Sequence, residues 1–369
     1  MPSETPHVSY IKTFMNRTIV NHCPSFLKFT PLFWATNGVV QTILQYVLPV
    51  AKKRYARQMF AFSDGVESSL DWKYAEGKGI DAPIILCLHG LGGDSSSNYM
   101  KLFTNFCQEN GYTSVVYNRR GHAKESLLPK VGTVSNASCI FPRHVNMSDM
   151  KEVVDIICKR FPNRKKFLVG FSCGGNLAIN YLAHVGKDSP FKAAVVVSNG
   201  YNILVGAEVL KKNKYFNNVA TNFMKDLLKE RLDECKLIAK EKNMTIDWAA
   251  GLNSKSIPEF DTWVAKLYGL SLEEYYTQDS SHDKLKSISI PLLCITNNSD
   301  PFVHYKMNRY PNVWALSNSN IIYVETKSGG HIGWIESIGS EPWYIRLICE
   351  YINVFNHPEL KNHNDKSPK

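Results

Sequence analysis

Apolar positions along the chain follow two rhythms, and each predicts a different element. Short continuous runs at residues 84–88, 114–117, 167–169 and 193–197 have the length and β-branched content of strands buried on both faces. Between them the apolar spacing approaches 3.6, over 150–160, where Ser148-Asp149 is expected to cap, and over 174–184. Ahead of them, residues 58–62 and 69–72 flank Asp64-Gly65 and predict a hairpin. This βαβα alternation predicts a mostly parallel central sheet flanked by helices. The rhythm breaks between 201 and 288, where Lys-rich amphipathic segments such as 219–243 replace strand-like runs and predict a helical insertion. It resumes with 291–296, 321–324 and a last helix over 343–355. The expected division is therefore an N-terminal helical segment over 1–54, an α/β core over 55–200 and 289–357, the insertion over 201–288, and a polar tail over 358–369.

Composition narrows the class without changing this picture. With 369 residues, 44% hydrophobic and 21% charged, the chain can bury a large core without covalent staples. Its nine cysteines form no CxxC pair and no Cys/His grouping at metal-ligand spacing, which points to a reduced, intracellular protein rather than a disulfide or zinc scaffold. The N-terminus lacks the basic and apolar regions of a secretory signal. Residues 31–50 have the length of a membrane span, but Asn37, Gln41 and Gln45 interrupt them, with Gly38 and Pro49 as punctuation. Polar groups in hydrocarbon are costly, so the stretch reads as core or as an interfacial face. The formal charge of +10 suits an anionic membrane surface or an ordinary basic protein. Nucleic-acid binding is not expected, since no recognised motif accompanies the charge.

The chemistry centres on Gly170-Phe171-Ser172-Cys173-Gly174, a G-x-S-x-G pentapeptide between a strand-like run and an Ala- and Leu-rich helix. Small residues there allow a tight turn that lifts the Ser172 hydroxyl above the sheet. A serine hydroxyl needs a base, and the base needs an acid to orient it. Asp300, past the run 291–296, and His331, past the run 321–324 and behind Gly329-Gly330, stand in the required order at carboxyl ends of strands. His304 follows Asp300 too closely to fold back as the base. The backbone N–H groups of Cys173 and of Leu91, in His89-Gly90-Leu91-Gly92-Gly93, are the expected oxyanion donors. The same glycines carry no Gly-Lys-Ser/Thr or GxGxxG, so they do not read as a nucleotide site. His144 and Asp149 show an H-x4-D spacing, for which helix capping by Asp149 is the better account.

These residues together resemble the lipid-esterase branch of the α/β-hydrolase fold known as AB hydrolase family 4, or the YheT-like family. The likeness also rests on His22-Cys23-Pro24-Ser25, Leu88 to Ser95, Tyr117-Asn118-Arg119-Arg120-Gly121, Phe260-Asp261-Thr262-Trp263, Tyr275-Tyr276 and Gly329 to Trp334. It implies a serine esterase or phospholipase acting on glycerolipids, with Ser172, Asp300 and His331 as its triad and the insertion over 201–288 as a helical lid. No metal or organic cofactor is implied. Acyl transfer to an alcohol on the same triad, or a catalytically silent lipid-binding scaffold, are the alternatives. Animal relatives commonly carry a membrane anchor ahead of His-Cys-Pro; here the residues in that place are not apolar, so peripheral membrane contact is expected rather than a single-pass anchor.

Overall fold

The computed structural model describes residues 3–78 and 81–356. Its strands are β1 (His7–Ser9), β2 (Ala56–Ala61), β3 (Glu67–Lys73), β4 (Ile84–Leu88), β5 (Thr113–Asn118), β6 (Lys166–Phe171), β7 (Ala193–Val197), β8 (Leu292–Asn297) and β9 (Ile321–Thr326). They form one sheet in the order β1-β9-β8-β7-β6-β4-β5-β3-β2. From β9 to β5 all neighbours run parallel, and antiparallel pairs close both edges. The helices are α1 (Phe14–Asn21), α2 (Gly38–Val47), α3 (Asn98–Glu109), α4 (Met147–Arg160), α5 (Cys173–Val185), α6 (Ile203–Lys212), α7 (Lys214–Glu241), α8 (Trp248–Leu252), α9 (Ile257–Leu267), α10 (Leu272–Asp279), α11 (Arg309–Ala315) and α12 (Trp343–Val354).

Side chains alternate across a strand, and the core divides accordingly. Ile85, Cys87, Phe167 and Val169 join a cluster with Phe103 of α3 and Ile348 of α12 on one face. Ile84, Leu86, Leu88 and Leu168 join Val153 of α4 and Leu177 of α5 on the other. Each fully buried aliphatic side chain contributes ~1.5–3 kcal/mol, which is why a strand apolar at every position sits in the centre of this sheet. A third cluster lies apart from the sheet: α7 and α9 pack through Leu228, Phe260 and Val264 against Phe141.

Two local expectations change. The N-terminal segment, expected to be helical, holds α1 and α2 but opens on β1, which pairs with β9 through Val8 and Val324. A strand of three residues is too short for periodicity to register. Helix α4 starts at Met147 with Asn146 as its cap: Asp149 N–H donates to Asn146 Oδ1 at 3.2 Å, while the Asp149 carboxylate faces Arg120 instead. Within 31–50 only α2 is helical, and among the described residues no helix is long and apolar enough to cross a membrane. The polar tail over 358–369 lies outside the described residues.

Candidate active site

Ser172 joins β6 to α5 with φ 51° and ψ −125°, a strained conformation for a residue with a Cβ. Glycines on either side make the turn possible. A Cβ on Gly170 would lie 2.6 Å from Gly174 O, and one on Gly174 would overlap Leu88 O on the neighbouring strand. The turn is tied down by Ser172 N–H to Val197 O at 2.8 Å and Gly175 N–H to Ser172 O at 2.8 Å.

His331 follows β9 and Asp300 follows β8, so parallel pairing of these strands carries both loops to the same end of the sheet as Ser172. His331 Nε2 lies 2.9 Å from Ser172 Oγ, and His331 Nδ1 lies 2.9 Å from Asp300 Oδ2. A carboxylate only accepts, so Nδ1 carries the proton and Nε2 is left to accept from the serine hydroxyl. Asp300 is itself held, because Phe302 and Val303 N–H both donate to its Oδ1 at 2.9 Å. The Phe302 ring packs on the imidazole with centroids 4.9 Å apart. From 289 positions away, Thr42 Oγ1 accepts the His331 backbone N–H at 2.8 Å. Ser198 Oγ accepts the Ile332 N–H at 3.1 Å, which anchors the same loop from β7.

Cys173 opens α5, so its N–H belongs to the first turn of a helix and lacks an intrahelical acceptor. Leu91 follows β4 in a loop governed by one carbonyl. Gly90 O accepts from Arg119 Nη2 at 3.0 Å, from His89 Nδ1 at 2.9 Å and from Gly93 N–H at 3.2 Å. The peptide is trans, so the Leu91 N–H points opposite to this carbonyl, and a carbonyl polarised by a guanidinium makes its partner N–H a stronger donor. Burial, helped by the charges of Arg119 and His122, holds His89 far below the usual imidazole range, so the ring is neutral and Arg119 supplies the charge. Arg119 was legible only as part of Asn118-Arg119-Arg120-Gly121; the signal pointing to it is a cation at the carboxyl end of the strand beside β4.

Ser172, Cys173, Leu91 and His331 border one cavity of about 370 Å³. Its other walls include Ile203, Ala207 and Leu210 of α6, Phe223 of α7, Ile257 of α9, and Phe302. The volume is that of an ordinary small-ligand site, and the lining is largely apolar. His144 and Asp261 also reach it, bonded to each other at 3.1 Å, with Tyr276 OH donating to the second Asp261 oxygen at 2.9 Å. Burial works against charge on His144, but Asp261 and Asp279 outweigh it and hold the imidazole above its ordinary pKa. His144 and Asp149 thus have different partners. His304 caps a short turn, accepting from Lys306 N–H, and does not border the cavity.

A family model described as alpha/beta hydrolase fold matches residues 83–337. The chain is 32% identical over 338 residues to "Phospholipase ABHD3" of Mus musculus, covering 88% of this chain and 77% of that protein. It is 25% identical over 375 residues to "Monoacylglycerol lipase ABHD2" of Danio rerio, covering 96% and 86% respectively. Among solved structures it is similar to the Pyrococcus furiosus esterase Pf2001, with a TM-score of 0.51 and 16% identity over 84% of this chain and 96% of that one.

Proposed function

Since the chain belongs to the α/β-hydrolase family and is a hydrolase of the lipase and esterase type, we propose that it cleaves acyl esters of glycerolipids through Ser172. The observation that carries this reading is the hydrogen-bond chain from Asp300 through His331 to Ser172 at the wall of an apolar cavity. The Ser172 hydroxyl attacks the ester carbonyl while His331 Nε2 takes its proton. Asp300 stabilises the imidazolium that forms. The new oxyanion sits between the N–H groups of Leu91 and Cys173. Collapse expels the alcohol, which leaves with the proton held by His331. Water, deprotonated by the same nitrogen, then attacks the acyl-enzyme and releases the carboxylic acid. Neither step calls on a metal ion or an organic cofactor.

Helices α6 to α10, within 201–288, act in this reading as a lid, because α6, α7 and α9 supply the apolar walls against which an acyl chain packs. Two kinds of relative, one named a phospholipase and one a monoacylglycerol lipase, support a glycerolipid ester as the substrate class. Peripheral contact with the membrane that holds the substrate belongs to the same reading, and the nine unpaired cysteines suit a reducing, intracellular compartment. The direct test is Ser172→Ala. It should abolish labelling by a fluorophosphonate and lower ester turnover by ~10⁴-fold or more while the melting temperature is retained. Turnover that survives this substitution would overturn the assignment.

A further inference from the structure

Helix α2 is built inside out. Its buried positions are Gly38, Gln41, Thr42 and Gln45, one face at the i, i+3, i+4, i+7 spacing, and that face is the polar one. Its outward positions include Ile43, Tyr46 and Val47, which are 46%, 42% and 65% exposed. Just ahead of the helix, Phe33 and Trp34 are 68% and 50% exposed. A surface helix ordinarily turns its apolar stripe to the core, because exposed apolar area costs free energy in water. Here the inward face is committed elsewhere. Gln41 Nε2 donates to Ala35 O at 2.7 Å, and its Oε1 accepts from Ile335 N–H at 2.6 Å. Thr42 holds His331, and Gly38 packs so tightly on the Ser299 backbone that no Cβ would fit. Gln41 and Thr42 are therefore needed inside, and the apolar side chains of the helix are left facing out.

We infer that this outward face, together with Phe33 and Trp34, docks on the surface of an anionic lipid bilayer and brings the mouth of the Ser172 cavity to it. Ten residues of helix span only ~15 Å, half the hydrocarbon thickness, so α2 lies along the surface rather than crossing it. Charge selects the occupant. No Asp or Glu occurs between Glu4 and Asp64, whereas Lys28, Lys52 and Arg54, within a few positions of the Phe33–Val47 stretch, are exposed. A basic, apolar surface of this kind is attracted to acidic headgroups. A second copy of the chain would bring the same basic flanks together across a two-fold contact, at a formal charge of +10 each. Tyr46 of α2 and Phe223 of α7, 42% and 41% exposed, both line the cavity, so the docking face borders its opening. A lipid ester then reaches Ser172 from the bilayer without its acyl chain crossing water. Delivery rests on the glycerolipid reading, but docking does not.

The test uses the full chain carrying Ser172→Ala, so that the vesicles stay intact, in flotation with phosphatidylcholine vesicles with and without phosphatidylserine. Binding should strengthen with phosphatidylserine and weaken with added salt. The pairs Ile43→Ser with Val47→Ser, and Phe33→Ser with Trp34→Ser, should each weaken binding by roughly tenfold or more while circular dichroism stays unchanged. In the active chain both pairs should leave turnover of a short water-soluble ester within about twofold and lower turnover of vesicle lipid by a factor comparable to the loss of binding. Vesicle binding that neither pair alters overturns the inference. So does conversion of a dimer to a monomer by the pairs at unchanged vesicle binding, which would make the face a contact between copies. Binding that the pairs abolish, in a chain with no activity on any ester, supports docking and overturns the enzymatic reading alone.

Discussion

Asp300 does two jobs with one carboxylate, and they separate on substitution. Oδ1 holds the Phe302 and Val303 N–H groups and Oδ2 faces His331 Nδ1. Asp300→Asn keeps the first set but turns an amide N–H₂ toward Nδ1, which moves the imidazole proton to Nε2 and leaves no base for Ser172. Ester turnover should fall by ~10⁴-fold with little change in melting temperature; a loss under ~10²-fold would mean that another carboxylate assists. Arg119 acts one peptide away from the reacting atoms. Its guanidinium bonds Gly90 O, and it also reaches His144 O at 3.1 Å. Arg119→Lys keeps a charge but loses this fork, so the Gly90–Leu91 peptide loses its orientation. The expected result is a fall in kcat of roughly 10²-fold with KM little changed, read by steady-state kinetics on a soluble ester.

At the scale of elements, the site hangs on how α2 and the loop after β9 share hydrogen bonds. The buried His331 N–H has Thr42 Oγ1 as its acceptor, and Thr42 Oγ1 in turn donates to Gly38 O at 2.7 Å. Thr42→Val preserves shape and removes the acceptor, leaving a buried N–H unpaired. It should cost about 1–3 kcal/mol in denaturant unfolding and lower kcat as well, because the loop carrying His331 loses its support. The elbow is constrained in a different way, by space. Gly174 packs against the β4 backbone, so Gly174→Ala must push α5 away from β4, whereas Gly206 in α6, half-buried at the cavity wall with no atom within 4 Å of an added Cβ, should accept Ala without loss of stability. The G-x-S-x-G spacing is thus a packing requirement between three elements before it is a chemical one.

For the whole molecule, the pH dependence of stability has an identifiable source outside the site. Burial is the main cause that pushes the Glu125 carboxyl up to about 7 from an ordinary 4.5, against help from Ser68, Ser69 and Arg57, with Asp71 nearby adding to the rise. A raised carboxyl pKa means the folded state holds its proton more tightly than the unfolded one. The contribution is fully present below about pH 4.5 and is lost as pH rises through about 7. Glu125→Gln should therefore raise the melting temperature at about pH 8 by about 2–4 °C and change it little near pH 4, as checked by calorimetry across that range.

What could be read from the sequence was whatever neighbours within a few positions decide. Continuous apolar runs marked β4, β5, β6, β7, β8 and β9, because a strand covered on both faces needs them. Glycines at 170 and 174 marked the elbow, and the order Ser172, Asp300, His331 was legible because each follows its own strand. Tertiary structure decided the contacts between residues far apart: Thr42 with His331, Arg119 with the Gly90 carbonyl, His144 with Asp261. It also decided which way α2 faces. Periodicity alone would turn Ile43 and Val47 inward, but the segment from Gly330 to Ile335 buries backbone groups that must be hydrogen-bonded, and Gln41 and Thr42 are the side chains that satisfy them. That need outweighs the cost of exposing apolar surface, and it is invisible until the loop after β9 is folded against the helix.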